Sequence, residues 1–475
     1  MDGLQCPKLL WYKVNDRKAF SQLSDAQRRV YEQGTKVGEL ACKRYSDGLS
    51  VGCEYDSKKN AAKTAELLEL RKPLFEAGFI FGDCYCRVDI LVPSGDDEWD
   101  LIEVKSTTSV KDAHINDVSF QLYCLHGCGI RIRKCFLMHI NNKYIRDGDV
   151  DVSKLFVKSD IADQLVTVGI GLEVRKMLKV VGSSCPDPEI GVFCDKPYKC
   201  DLKNLCWKSM PENNVFDLCG SNKLSQKLFE DGVELIADIT ERVKLNSKQQ
   251  IQRMCSISGE DNIDKKEISN FFGKLEYPLN YLDFETYASA VPMWNGVKPY
   301  QNIPFQFSLH VQKVQGGELA HYSFLAKGKD DCRKDFIAAL KKVLGKSGSV
   351  VVYNKSFEIS RLRELALVFP EYDEWVEDVV LRIVDLWDPF KKFSYYSSSQ
   401  KGSASIKKVL PAVTGKSYDG MDIADGMSAA AEYLMATFEG CGNKDKIYSD
   451  LEKYCCLDTE GMVWIVDKLR SIVED

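Results

Sequence analysis

Two short stretches of this chain place acidic side chains where such groups are costly. In YLDFET, Asp283 and Glu285 stand two apart within an apolar, strand-like run, so both side chains leave one face. A strand end is a poor place for two negative charges unless cations sit there. In WDLIEVKS, Glu103 and Lys105 share that spacing, and Asp89 lies in the preceding apolar run, VDILVP. A hairpin through SGDD brings Asp89 beside them. Two acids converging with a lysine suit phosphodiester chemistry. The acids hold a divalent cation, and the lysine orients or activates a water for attack on phosphate. Further on, VVVYNKSFEISRL passes from strand-like into helix-like sequence carrying Asn354, Phe357 and Glu358. Near the end of the chain Tyr454 and Asp458 are four apart, which puts both on one helix face.

Thiols form a second group. Cys194, Cys200 and Cys206 are evenly spaced in FCDKPYKCDLKNLCW, with a loop-forming Pro-Tyr between the first two. Zinc more typically shows paired CxxC knuckles, whereas an iron–sulfur cluster needs four thiolates and tolerates irregular spacing. Cys6, in LQCPKLLW, is the candidate fourth ligand, and Cys185 is its main competitor.

The elements that must carry these residues follow an α/β pattern. Residues from about 20 to 80 read mainly as helix, with Gly34 and Gly38 as interruptions. FIFGDCYCRVDILVP and WDLIEVKS read as a strand pair, HINDVSFQLYCLHGCGI as a helix and RIRKCFLMHIN as another strand. A Cys- and Pro-rich segment from Cys185 to Pro211 breaks the pattern. A second α/β pattern opens at YPLNYLDFETY and ends in the helix LEKYCCLDTEGMVWIVDKL. The expected division is a first domain over 1–215, a charged helical connector over 216–272 and a second domain over 273–475.

With 475 residues, the chain exceeds what one hydrophobic core usually supports. Eighteen cysteines accompany five histidines. MDGLQCPKLLWYKV lacks the charged head and apolar run of a secretory signal, and no apolar stretch approaches the roughly 20 residues needed to span a bilayer. The expectation is a cytoplasmic protein with reduced thiols and no membrane partner. A net charge of −6 does not advertise nucleic-acid binding, but catalytic carboxylates add negative charge that bound cations neutralise. Backbone contact would rest on local basic patches, Arg131, Arg133 and Lys134, or Lys391, Lys392, Lys407 and Lys408.

The first constellation resembles the RecB-like branch of the PD-(D/E)XK nuclease superfamily, in which an acid in one strand precedes Glu-x-Lys in the next and a helix carrying Gln. Asp89, Glu103 and Lys105 match, and Gln121 in VSFQLYCL fits the helix position. Glu39, in VGELACKRY, is the upstream helical acid that the resemblance adds to the metal site. Gly38 stands where that branch often has His, and Tyr123 shortens the Gln-to-Tyr spacing. A Cys-Pro near the N-terminus with three cysteines after the core resembles the iron–sulfur variety of these nucleases. There a [4Fe–4S] cluster staples the two ends of the domain together, a role that Cys6, Cys194, Cys200 and Cys206 would share.

The second constellation resembles the DEDD 3′–5′ exonucleases on an RNase H-like fold. Their three motifs are Asp-x-Glu, Asn-x-x-Phe-Asp and Tyr-x-x-x-Asp, and the tyrosine marks the DEDDy subgroup. By that resemblance Asp283, Glu285 and Asp458 hold two Mg²⁺ or Mn²⁺ ions, and Tyr454 positions the attacking water. Glu358, the remaining acidic ligand position, stands where the family usually has Asp. GVKPYQNIPFQFSLH and SIKKVLPAVTG resemble a prokaryotic family that joins these two nuclease-like halves.

The fold implied is a restriction-endonuclease-like core with a cluster, a helical connector and an RNase H-like domain. The activity implied is metal-dependent DNA hydrolysis with a 3′–5′ exonuclease component, in repair, recombination or defence against foreign DNA, with a helicase or other repair or defence protein as partner. The alternatives are an RNA-processing exonuclease, or a nucleic-acid-binding recruiting module with one or both sites degenerate. Gln306 and Lys407 are read either as substrate contacts or as groups that satisfy loop backbone.

Overall fold

The computed structural model describes every residue except 21–22, 53–55, 221, 441–442 and 475. The chain is a mixed α/β protein of two units, Met1–Lys208 with Ser289–Gln301, and Ser209–Ala288 with Asn302–Asp475.

In the first unit, helix α1 (Asp25–Cys42) runs unbroken through Gly34 and Gly38, where interruptions were expected. Each glycine costs about 1 kcal/mol against alanine in a helix interior. A Ser24–Gln27 capping box and the buried Val37 and Ala41 offset that cost. Six strands follow and lie side by side in chain order: β1 (Leu49–Ser50), β2 (Leu74–Phe81), β3 (Cys84–Ser94), β4 (Glu98–Lys105), β5 (Arg131–Ile140) and β6 (Phe156–Asp160). FIFGDCYCRVDILVP, read from its lettering as one strand, is the end of β2, a tight turn and β3. Gly82 supplies the positive φ of +58° that the turn requires. Apolar lettering that continues on both sides hides the reversal.

β3 and β4 are antiparallel, whereas β4 and β5 are parallel, joined by crossover helix α2 (Asp112–Gly127). Both faces of the sheet are covered, as successive residues of β4 show. Leu101 packs with Leu74, Val88, Val118 and Leu122, and Ile102 with Val37, Ala41, Phe136 and Met138. Ala290 and Val291 complete the second of these clusters. Ala290 N donates to Gln33 Oε1 at 3.0 Å, and Arg146 Nη1 donates to the carbonyls of Pro292 and Met293 at 3.0 and 2.8 Å. The helix Pro7–Asn15 and its flank are tied to residues 187–201: Gln5 Nε2 donates to Phe193 O at 3.0 Å, and Lys8 and Lys13 pair with Asp187 and Asp201.

In the second unit, residues 216–272 do not form a separate connector. Val215, Leu228, Ile236 and Leu245 build a small core there. Gln252 Nε2 donates to Tyr396 Oη at 3.3 Å, and β7 (Asn262–Ile263) pairs with β13 (Tyr395–Tyr396). The main sheet has the order β10-β9-β8-β11-β12, with β8 (Leu279–Tyr287), β9 (Ile303–Gln312), β10 (Leu319–Leu325), β11 (Val350–Val352) and β12 (Ile383–Asp385). β8 to β10 are antiparallel, and β8, β11 and β12 are parallel. Helix α3 (Lys355–Val368) follows β11, and helix α4 (Lys444–Glu474) lies against β8 and β9.

Candidate functional site

The second unit gathers carboxylates from three elements. β8 contributes Asp283 and Glu285, and α4 contributes Asp458. One oxygen from each lies within 4.8 Å of the other two. At that spacing two ionised carboxylates repel by roughly 3 kcal/mol at an effective dielectric of about 20. Burial pushes Asp283 and Glu285 well above the ordinary carboxylate range, and each is raised further by its acidic neighbours. Burial pushes Asp458 up to about 6, against the hydroxyls of Tyr418 and Tyr454 and the charge of Lys407, which favour its ionised form. A register shift between Glu285 and Thr286 sits at the acidic pair, where bulges commonly re-aim side chains.

Glu358 comes from the first turn of α3. It is 2% exposed, one of its carboxylate oxygens has no hydrogen-bond partner among the described residues, and burial and then Asp283 raise it. Its placement depends on Asp385, whose carboxylate accepts from the backbone N–H groups of Asn354 at 2.9 Å and Lys355 at 3.1 Å. Asn354 itself holds a φ of +77° and bonds Ser356, so this residue shapes the turn that launches α3. Tyr454 is buried, and the Lys407 ammonium lies 5.4 Å from its ring centre and 5.9 Å from that of Tyr418. Lys407 also donates to Ala424 O. Gln306, opposite Glu285 in β9, donates to Leu451 O at 2.9 Å, which makes it a clamp between the sheet and α4.

The first unit arranges its acids differently. Glu103 is buried, and both of its oxygens are engaged: Lys105 Nζ donates to one at 2.5 Å and Gln121 Nε2 to the other at 2.8 Å. Lys105 is also bonded to Asp117 at 2.7 Å. Asp89 accepts from Val104 N at 2.7 Å. Burial and Asp89 push Glu103 up to about 8, and burial pushes Asp89 up to about 6. Burial works to lower Lys105, but Glu103 and Asp117 outweigh it and hold the ammonium above its ordinary value. Glu39 is exposed on α1. Its charge reaches Cys42, whose thiol burial lifts to about 11 with Glu76 and Asp89 adding to the shift.

Cys6, Cys194, Cys200 and Cys206 line one small cavity together with Lys8, Ile190 and Phe193. Cys200 N donates to Cys194 O at 2.7 Å, folding the loop so that thiols six residues apart face inward. Cys185 is exposed, its thiol turned to Pro186 O. In the basic patch of β5, Arg131, Arg133 and Lys134 pair with Asp97, Asp100 and Asp160, which spends much of their charge locally.

Four contributors escaped the reading of motifs: Asp117, Asp385, Tyr418 and Cys455. Tyr418 Oη donates to Asp458 at 2.5 Å, and Cys455 Sγ lies 3.9 Å from Asp283 Oδ2. Only Cys455 had a local signal, its place beside Tyr454.

A family profile described as a domain of unknown function, DUF2779, matches residues 280–405. That stretch contains Asp283, Glu285 and Glu358 and stops short of Tyr454 and Asp458. Over 230 residues the chain is 30% identical to the uncharacterized protein MG366 of Mycoplasma genitalium, covering 44% of this chain and 34% of that protein. It is 24% identical over 228 residues to the uncharacterized protein UU173 of Ureaplasma parvum, covering 43% and 33%. The chain therefore spans about a third of the length of the curated relatives it matches. No solved structure matches it. The stretch similar to DUF2779 thus holds three of the four acidic residues of the carboxylate centre.

Proposed function

We propose that this chain is a divalent-metal-dependent nuclease that hydrolyses DNA phosphodiester bonds, with a 3′–5′ exonuclease centre at Asp283, Glu285, Glu358, Tyr454 and Asp458. The observation that carries this reading is the set of three acidic oxygens within 4.8 Å of one another, in a pocket whose burial disfavours their charge. The unpartnered oxygen of Glu358 adds a fourth acidic donor, and all-oxygen donor sets suit Mg²⁺ or Mn²⁺. Bound there, the ions supply Lewis-acid stabilisation of the attacking and leaving oxygens of an in-line displacement. Tyr454, beside Asp458, orients the attacking water, and Lys407 offers positive charge to the phosphate backbone.

In the first unit Asp89, Glu103 and Glu39 would hold a cation, with Lys105 and Gln121 positioning water and Glu103. A second reading is favoured there by the engagement of both Glu103 oxygens: this unit grips nucleic acid and the second unit cuts it. The four cysteines of the cavity suit a [4Fe–4S] cluster, which would join residue 6 to residues 194–206. The chemistry fits DNA repair, recombination or defence, alongside a helicase or similar partner.

The test is cleavage of 5′-labelled single- and double-stranded DNA, and of matched RNA, with Mn²⁺ and anaerobically purified protein. Wild type is compared with Lys105→Ala and Asp283→Ala. Cutting that disappears with Asp283→Ala supports the proposal, and a shortening ladder identifies the exonuclease. RNA cut in preference to DNA replaces the substrate. If wild type with its cluster intact cuts neither polymer, the proposal fails.

A further inference from the structure

We propose that His310, His321 and Cys456 form a second metal centre, one that takes zinc. This inference does not depend on the nuclease reading. One ring nitrogen of each histidine and the Cys456 sulfur lie within 4.8 Å of one another. His310 on β9 and His321 on β10 are directly paired across the strands, their ring centres 4.4 Å apart, and Cys456 reaches them from α4. This helix is two-faced: Tyr454 and Asp458 turn to the carboxylates, and Cys456, two residues from each, turns away from them.

The hydrogen bonds around the rings allow an assignment that leaves one nitrogen of each ring free. Thr459 Oγ1 lies 3.0 Å from Cys456 O, its carbonyl acceptor. It lies 2.7 Å from Ser308 Oγ and 2.8 Å from His310 Nδ1, and Ser308 Oγ lies 2.9 Å from His321 Nε2. With Thr459 donating to the carbonyl, its oxygen accepts from Ser308 and from His310 Nδ1–H, and Ser308 accepts from His321 Nε2–H. Every donor is used once, and the lone pairs left over are His310 Nε2 and His321 Nδ1. Metal-binding histidines are held in this way, the second ring N–H tied to an outer acceptor.

Two imidazoles and a thiolate are a borderline-soft donor set that favours zinc over the hard ions suited to an all-carboxylate site. Tetrahedral zinc, with bonds of about 2.0–2.3 Å, needs donor atoms roughly 3.3–3.8 Å apart. His321 is exposed on the edge strand β10, so turning its ring can close that gap. Glu460, one turn beyond Cys456, acts electrostatically on both His321 and Cys456, and water or Glu460 would complete the tetrahedron. The site would pin the β9–β10 hairpin to the helix that carries Asp458.

The experiment is zinc content by elemental analysis after equilibrium dialysis of the full chain against Zn²⁺, with thermal melts alongside. Wild type should hold one more zinc per chain than His321→Ala and than Cys456→Ser. Co²⁺ in place of zinc should give a thiolate-to-cobalt absorption that Cys456→Ser reduces. Should Cys456→Ser fail to fold, His321→Ala at its exposed edge position decides the matter. Zinc content equal in wild type and His321→Ala overturns the proposal.

Discussion

The two acidic centres solve the same electrostatic problem in opposite ways. In the first unit, Glu103 is neutralised from within: Lys105 and Gln121 take its two oxygens, and Asp117 balances the lysine. In the second, Asp283, Glu285 and Asp458 crowd one another, Glu358 keeps an unpartnered oxygen, and Lys407 is the cation whose field they share. A protein can bury a carboxylate by supplying its counter-charge or by leaving a ligand to supply it. The first centre meets its charge with groups of its own chain, and the second leaves its carboxylates crowded, which is the arrangement the cation proposal rests on.

Kinetics tests this contrast most severely. Asp283→Asn should reduce cleavage by on the order of 10³-fold, the loss of several kcal/mol of transition-state stabilisation, and Lys105→Ala by less than about tenfold. Single-turnover assays with Mn²⁺ measure both, and equal losses would mean the two centres share the burden. Next in size is metal-linked stability. Mn²⁺ at 100 times its Kd should stabilise the wild type by about 2.7 kcal/mol, as read by thermal melts. Asp458→Asn should lose that gain and Lys105→Ala should keep it.

Titration separates the centres again. Asp458 and Asp89 are raised to about 6 and Glu103 to about 8, all above the ordinary carboxylate value near 4. The folded chain therefore holds protons that the unfolded chain has released, so their stabilising effect is full below about pH 4 and is lost as pH rises through 6 to 8. Melts of metal-free protein should show the midpoint falling from pH 5 to pH 8. Added Mn²⁺ should remove the share of the slope that Asp458→Asn also removes, and leave the share that Glu103→Gln removes. The smallest effect belongs to Tyr418→Phe. Loss of its hydrogen bond to Asp458 should weaken Mn²⁺ binding roughly threefold to tenfold, measured by titration calorimetry at pH 7.

What could be read ahead of the structure follows from range along the chain. Asp283 with Glu285, and Tyr454 with Asp458, are fixed by strand and helix periods, which lettering displays directly. Asp117 could not be singled out, because its value depends on a lysine brought over by the sheet. Tyr418 reaches Asp458 across 40 residues of sequence, with no period to betray it. The smooth helix through Gly34 and Gly38 shows caps and buried neighbours outweighing propensity, and Gly82 shows a turn masked by apolar lettering on both sides. Residues 216–272 read as a spacer or small helical subdomain because they are helical and charged, and the cluster that includes Leu218, Leu228, Ile236 and Ile239 gives them a small core.

Residues 289–301 give the chain an interleaved order. The first unit's apolar cluster includes Ala290 and Val291, which are synthesised after β8, the strand that carries Asp283 and Glu285. The first unit's cluster is complete only once residues encoded inside the second have been made. A genetic cut near residue 208 would take Ala290 and Val291 from the cluster that holds Val37 and Ala41, and would leave Arg146 without the carbonyls of Pro292 and Met293. The two units are interleaved in sequence, and no single cut separates them.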